Sequence, residues 1–169
     1  MEQFLTSIEN TGFGIWVRES GSIWSYPMII TLHAYGMAML AGFSAVIDLR
    51  VLGFASAVPL PSLRRLCRLV AVGFWVSLVS GVALTIGDAG SMLISPIFYI
   101  KMIFIVLALW TGVLLQRRVF GRPELGAAVA ATHAKALAIW SLIFWVGSIT
   151  AGRLTAYLGP AVALKGVTH

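Results

Sequence analysis

Three ionisable side chains stand inside long apolar stretches of this chain: His33, Lys101 and Arg153. Insertion scales put a charge at the centre of a membrane helix at a cost of about 2.5 to 3.5 kcal/mol, so such residues are functional candidates by default. Together they offer binding chemistry. An imidazole ligates a metal through one ring nitrogen, and two cations hold carboxylate or phosphate groups by charge-assisted hydrogen bonds. Met102, one residue beyond Lys101, adds a soft thioether, and Tyr157, four beyond Arg153, adds a phenol. No nucleophile with its base accompanies them: there is no GxSxG, no Walker A loop, no HExxH and no pair of intramembrane carboxylates. No catalytic residue is assigned, and the chain is read as not being an enzyme on its own.

The elements that position these residues follow from composition. Of 169 residues, 59% are hydrophobic and 11% charged, and mean hydropathy is +0.94. A water-soluble domain carries roughly 25% charged residues, so this composition belongs to an integral membrane protein whose first partner is the lipid bilayer. A bilayer core of about 30 Å needs about 20 apolar residues in a helix. Four runs of that kind lie at about 27–47, 69–86, 96–115 and 136–158. The expected fold is all-α, an integral membrane four-helix bundle over 23–160, with a short N-terminal interfacial segment over 1–22 and a tail over 161–169. In the N-terminal segment Phe4, Leu5, Ile8, Ile15, Trp16 and Trp24 are spaced like a helix lying at headgroup depth. Counting the helical rise from the run ends, His33, Lys101 and Arg153 each lie roughly 6 to 10 Å inside the same boundary, in one layer.

Charge placement sets the orientation. Residues 48–68 hold Arg50, Arg64, Arg65 and Arg68, and 116–135 hold Arg117, Arg118, Arg122 and Lys135, so eight of the twelve cations lie on one side. By the positive-inside rule that side is cytoplasmic and both termini are extracytoplasmic. Cations gathered in the short connections of a membrane bundle need no nucleic acid to explain them, and none is expected as a partner. The single cysteine, Cys67, excludes an internal disulfide. Asp48 is read as a structural ion pair with Arg50, Arg68 or Arg117, and Asp88 as the nearest acid to balance Lys101 and Arg153. Lipid tails are as apolar as leucine, so the helices must associate through small residues. The stripes Ala34, Ala38, Gly42 and Gly73, Ser77, Gly81 are the expected contact faces.

A family resemblance rests on Tyr26-Pro27, His33, Gly36, Asp48-Leu49-Arg50-Val51-Leu52-Gly53, Ser95-Pro96-Ile97-Phe98-Tyr99-Ile100-Lys101 and Ala151-Gly152-Arg153-Leu154-Thr155-Ala156-Tyr157. With these motifs the chain resembles, over nearly its whole length, the DUF6644-type family of small four-span bacterial membrane proteins of unknown function. The resemblance implies the architecture and a bacterial inner membrane, and it brings no activity. The family's third span often ends in histidine, where this chain has Gln116-Arg117-Arg118.

Three function classes fit these residues. The leading one is a haem b-binding electron-transfer or redox-accessory subunit, with His33 as axial metal ligand and Lys101 and Arg153 on the propionates. His133 begins the fourth span at the opposite boundary, roughly 20 Å along the normal, so it cannot share an iron with His33. The second ligand is then Met102 or a His33 from a second protomer of a homo-oligomer, unless the iron is five-coordinate. The alternatives are a small transport or anion-binding module lined by the same residues, and a ligand-free accessory or assembly subunit of a larger membrane complex. Met28, Met37, Met39 and Met102 near His33 give a copper(I) variant of the first two. A reporter fused after His169 is expected to be active only outside the cytoplasm. Cytoplasmic activity there would overturn the orientation.

Overall fold

The computed structural model describes the backbone over 2–54, 60–121 and 127–165, and side chains at 3, 5–54, 63–118 and 132–154. Every regular element among these residues is a helix: α1 (Glu2–Glu9), α2 (Gly12–Glu19), α3 (Tyr26–Leu52), α4 (Leu60–Gly87), α5 (Ala89–Ile94), α6 (Pro96–Gly121) and α7 (Ala127–Lys165). Four of them are long and apolar enough to cross a membrane, over Tyr26–Leu52, Leu63–Gly87, Pro96–Arg118 and Thr132–Leu154. The protein is an all-α, multi-pass membrane protein whose long helices pack as a bundle, with short helices at its N-terminus. The four expected spans are found, and α7 runs on past 158 into the segment expected to be a tail. The expected turn after the second span contains α5.

Local sequence explains the helix ends. Pro27 occupies the first turn of α3, where its missing N–H leaves no bond unmade. Gly53, at φ +102°, ends the helix in the left-handed conformation. Its N–H donates to the Arg50 carbonyl at 3.1 Å and the Phe54 N–H to the Leu49 carbonyl at 3.0 Å, a Schellman closure that needs glycine at that position. Thr11 caps α2 by accepting from the Gly14 N–H at 3.2 Å. Before α3, Ser25 is fully buried and its hydroxyl lies 2.7 Å from the Ser22 carbonyl and 2.9 Å from that of Ser20.

The long helices associate as two tight pairs, α3 with α4 and α6 with α7, joined through an α3–α7 seam. Across the bundle the order is α4, α3, α7, α6, and among the described residues α4 and α6 barely meet. Glycine permits the first pairing. A Cβ on Gly36 would stand 2.6 Å from the Ser77 backbone nitrogen, and one on Gly73 would stand 2.7 Å from that of Leu40. The expected face of α4 is therefore the real one, whereas that of α3 is rotated. Ala34, Ala38 and Gly42 are exposed, and α3 meets α4 through His33, Gly36 and Leu40. The reason is that Gly36 brings the backbones closer than any alanine stripe can. In α6 and α7, the rings of Phe104 and Phe144 approach to 6.4 Å, and Gly147 leaves the space that Phe104 fills.

The short helices form a cap on the His33 end. Val17 of α2, 1% exposed, packs on Gly87 at the end of α4. The Glu9 carboxylate accepts from the Gly90 N–H at 2.6 Å, so the end of α1 supplies a side-chain partner to the first turn of α5. Arg18 completes the cluster, 2.9 Å from Glu19 and 3.8 Å from Glu9. The hydrogen bond to Glu19 holds its guanidinium above the ordinary arginine value, so Arg18 is a cation at any pH the fold meets. Phe13, Trp16, Ile23 and Trp24 stay exposed around this cap, as suits side chains at headgroup depth.

Backbone contact at Gly36 makes a direct prediction. Gly36→Leu should destabilise the detergent-solubilised protein by about 1 to 3 kcal/mol or more, since a backbone rather than a movable side chain opposes the new atoms. Gly42→Leu, with nothing within 4 Å of its Cβ position, should leave the melting temperature unchanged. Equal effects of the two substitutions would refute the assigned α3–α4 contact.

Candidate functional site

His33 is set by its neighbours on α4. Its Nδ1 lies 3.0 Å from the Ser77 carbonyl oxygen and 3.2 Å from Ser80 Oγ. A carbonyl only accepts, so Nδ1 carries the proton. The Ser80 hydroxyl donates to its own helix at Val76 O, 2.6 Å away, which leaves Ser80 Oγ as a second acceptor for the same N–H. The neutral ring therefore keeps the lone pair on Nε2. Gly81 makes room for the ring, because a Cβ there would stand 3.1 Å from His33 Cε1. His33 is partly buried.

Lys101 comes to the same level from α6. Its stem passes over Gly152, with Cε 3.7 Å and Nζ 3.9 Å from where a Cβ on that glycine would be. Arg153 follows Gly152 directly and is exposed. Among the described residues neither Lys101 nor Arg153 forms an ion pair with an acid. Asp88 does not balance them as the sequence led us to expect. It shares a cleft of about 260 Å³ with Val17, Arg18, Tyr26, Leu84 and Gly87, where the cationic neighbour is Arg18.

The remaining expected residues are less convergent. Met102 is 41% exposed on the surface of α6. The Tyr157 side chain lies outside the described residues. His133 is exposed near the start of α7, at the opposite end of the bundle from His33. A second depression, about 430 Å³, is a shallow apolar groove on α3 lined by Ile30, Thr31, Ala34, Tyr35 and Ala38. Its one polar side chain, Thr31, donates to the Pro27 carbonyl. Neither depression includes His33, Lys101 or Arg153.

The ion pair expected of Asp48 is not made among the described residues. Asp48 is 2% exposed and makes none of the ion pairs among the described residues. It faces α7, where Ser141 is the polar side chain turned toward its carboxyl. No bond of good geometry joins them: Asp48 Oδ2, Ser141 Oγ, Trp145 Nε1 and Ser148 Oγ are all buried without a hydrogen-bond partner. The legible signal was spacing. Ala134, Ala138, Ser141, Trp145, Ser148 and Gly152 recur at intervals of four and three, which places them on one face of α7.

No family model, curated protein or solved structure matches the chain. The site must therefore be argued from its own geometry. The test of that geometry is the His33 tautomer. Nitrogen NMR of histidine-labelled protein at neutral pH should show His33 protonated on Nδ1 and bare on Nε2. The reverse tautomer would remove the free ligand position.

Proposed function

We propose that the protein is a haem b-binding subunit of an electron-transfer assembly in a bacterial inner membrane, with its termini extracytoplasmic. His33 is the axial ligand, and Lys101 and Arg153 bind the propionates. The observation that carries this reading is the His33 ring, whose Nδ1–H is held by the Ser77 carbonyl while Nε2 is left free. Metal-ligating histidines are commonly oriented by such a bond from the other ring nitrogen. The layer also matches haem in number. The cofactor has one Lewis-acidic centre and two carboxylates, and the layer has one free imidazole nitrogen and two cations that form no ion pair with an acid. Bound there, the iron would supply one-electron chemistry. Met102 is exposed and His133 distant, so among the described residues His33 is this chain's contribution to the iron.

A second reading, binding of an anion alone, is favoured by the same two cations. It and the haem reading differ in which residue dominates. Purified protein, supplemented with haem, should show a Soret band that shifts on reduction, with matching iron content. His33→Ala should abolish the band. Arg153→Gln and Lys101→Gln should keep it but weaken haem retention by about 1.5 to 3 kcal/mol each, the range for a hydrogen bond to a charged group. Wild-type protein without a Soret band after supplementation would overturn the haem reading. Anion binding lost in the two cation variants and kept in His33→Ala would establish the second.

A further inference from the structure

Charge is divided between the two ends of the bundle. At the His33 end the described acids Glu9, Glu19 and Asp88 stand among the cations. At the opposite end every spanning helix carries cations, from Arg50 on α3 to Lys135 on α7, and the one described acid there, Asp48, is buried on the side facing α7. Orientation in a membrane asks only that cations gather at that end. It does not say which side of a helix they take.

On the two outer helices of the row, α4 and α6, they head the faces that look away from the bundle. On α4 Arg65, Arg68, Val72, Trp75 and Val79 follow one another at intervals of three and four, so they share one face. On α6, which runs the opposite way, Arg117, Val113, Trp110, Val106 and Ile103 repeat the pattern from the same end. Every one of these side chains is exposed. Among the described residues Arg65, Arg68 and Arg117 form no ion pair with an acid.

Each face has the make-up of an amphiphile's partner. A guanidinium stands at the head, a valine one turn below Arg68 or Arg117, and an indole two turns below, about 10 Å away. Trp75 is 61% and Trp110 66% exposed. Tryptophan in membrane proteins gathers at headgroup depth, whereas these two lie deeper, at the level of the acyl chains. One molecule meets both requirements, since a phospholipid joins an anionic phosphate to a hydrocarbon chain. A partner helix fits less well. Helices in lipid associate through glycine, alanine and serine, and no such residue stands among these valines, tryptophans and isoleucine, whose bulk holds a second backbone away. We propose that α4 and α6 each seat an anionic phospholipid, its phosphate held by Arg65 and Arg68 on α4 and by Arg117 on α6, with an acyl chain along the valines and tryptophan below. A zwitterionic lipid is the poorer occupant, because its own cation offsets the phosphate that the arginines attract.

The experiment is quenching of tryptophan fluorescence by lipids brominated at mid-chain, with the whole protein in phosphatidylcholine vesicles. Dibrominated phosphatidylglycerol and dibrominated phosphatidylcholine are compared at the same low mole fraction. The share of each face is the quenching that disappears in Trp75→Phe or Trp110→Phe. Both shares should favour phosphatidylglycerol, by about fivefold for each arginine on the face. Arg68→Gln should remove one such factor at Trp75 and none at Trp110, and Arg117→Gln the reverse. Salt at 1 M should bring the wild-type preferences toward one, because exposed charges are then screened beyond about 3 Å. Equal quenching by the two lipids, or a preference that survives both substitutions, would overturn the proposal. Quenching of neither tryptophan by either lipid would show that protein covers these faces, and would overturn it too. No haem is added, so the result is independent of the haem reading.

Discussion

Hydrocarbon provides no partner for an N–H or O–H, and the arrangement of this protein follows from where each such group is closed. Backbone groups close within the helices. The hydroxyls of Thr31, Thr85 and Thr111 close one turn back on their own helix. His33 closes differently, on the next helix. Its Nδ1–H reaches the Ser77 carbonyl across a contact that exists only because Gly36 and Gly73 let α3 and α4 touch backbone to backbone. The glycines are thus part of the candidate site although they do not line it. They bring a backbone acceptor of α4 within reach of a ring on α3, and that acceptor fixes which ring nitrogen is free.

The same constraint separates the two halves of the bundle. α3 with α4, and α6 with α7, are each closed by small residues or by a ring filling a glycine's space. The seam between the pairs, α3 on α7, is where Asp48 meets Ser141 and where the orphaned groups gather. A seam packed purely for stability would place leucine or alanine at those positions, as the same face of α7 does at Ala134 and Ala138. Replacing buried polar groups by apolar ones of similar shape is often neutral or stabilising, so retaining four of them has no packing rationale.

Much of this was legible in the sequence, for physical reasons that also mark the limit. Span number and the shared layer of His33, Lys101 and Arg153 follow from run length and rise per residue, which depend only on local composition. Helix rotation does not. The stripe Ala34, Ala38, Gly42 has the right residues at the right spacing and still faces outward, because one closer contact at Gly36 outweighs three moderate ones. Asp48 was misread for a similar reason. Arginines near it in sequence made an ion pair the natural reading, but residue 48 is seven beyond Ala41, which puts it on the α7-facing side and buries it. The cap was half legible: its aromatics were evident, whereas α5 depends on a side chain from Glu9, 81 residues away.

Lys101 links the two polar regions. Its stem lies on Gly152, one turn beyond Ser148 on α7, and it belongs to the same layer as His33 on α3. A group in that position cannot serve one region without affecting the other. An anion held by the ammonium would stabilise the charged form. A charge leaving the His33 layer would favour its release. Coupling of this kind needs no moving part, only an ionisable side chain shared by two sites in a medium where charges are poorly screened. Among the described residues no acid pairs with Lys101, and that keeps the response open, because a carboxylate at contact distance would hold the ammonium charged whatever its neighbours did.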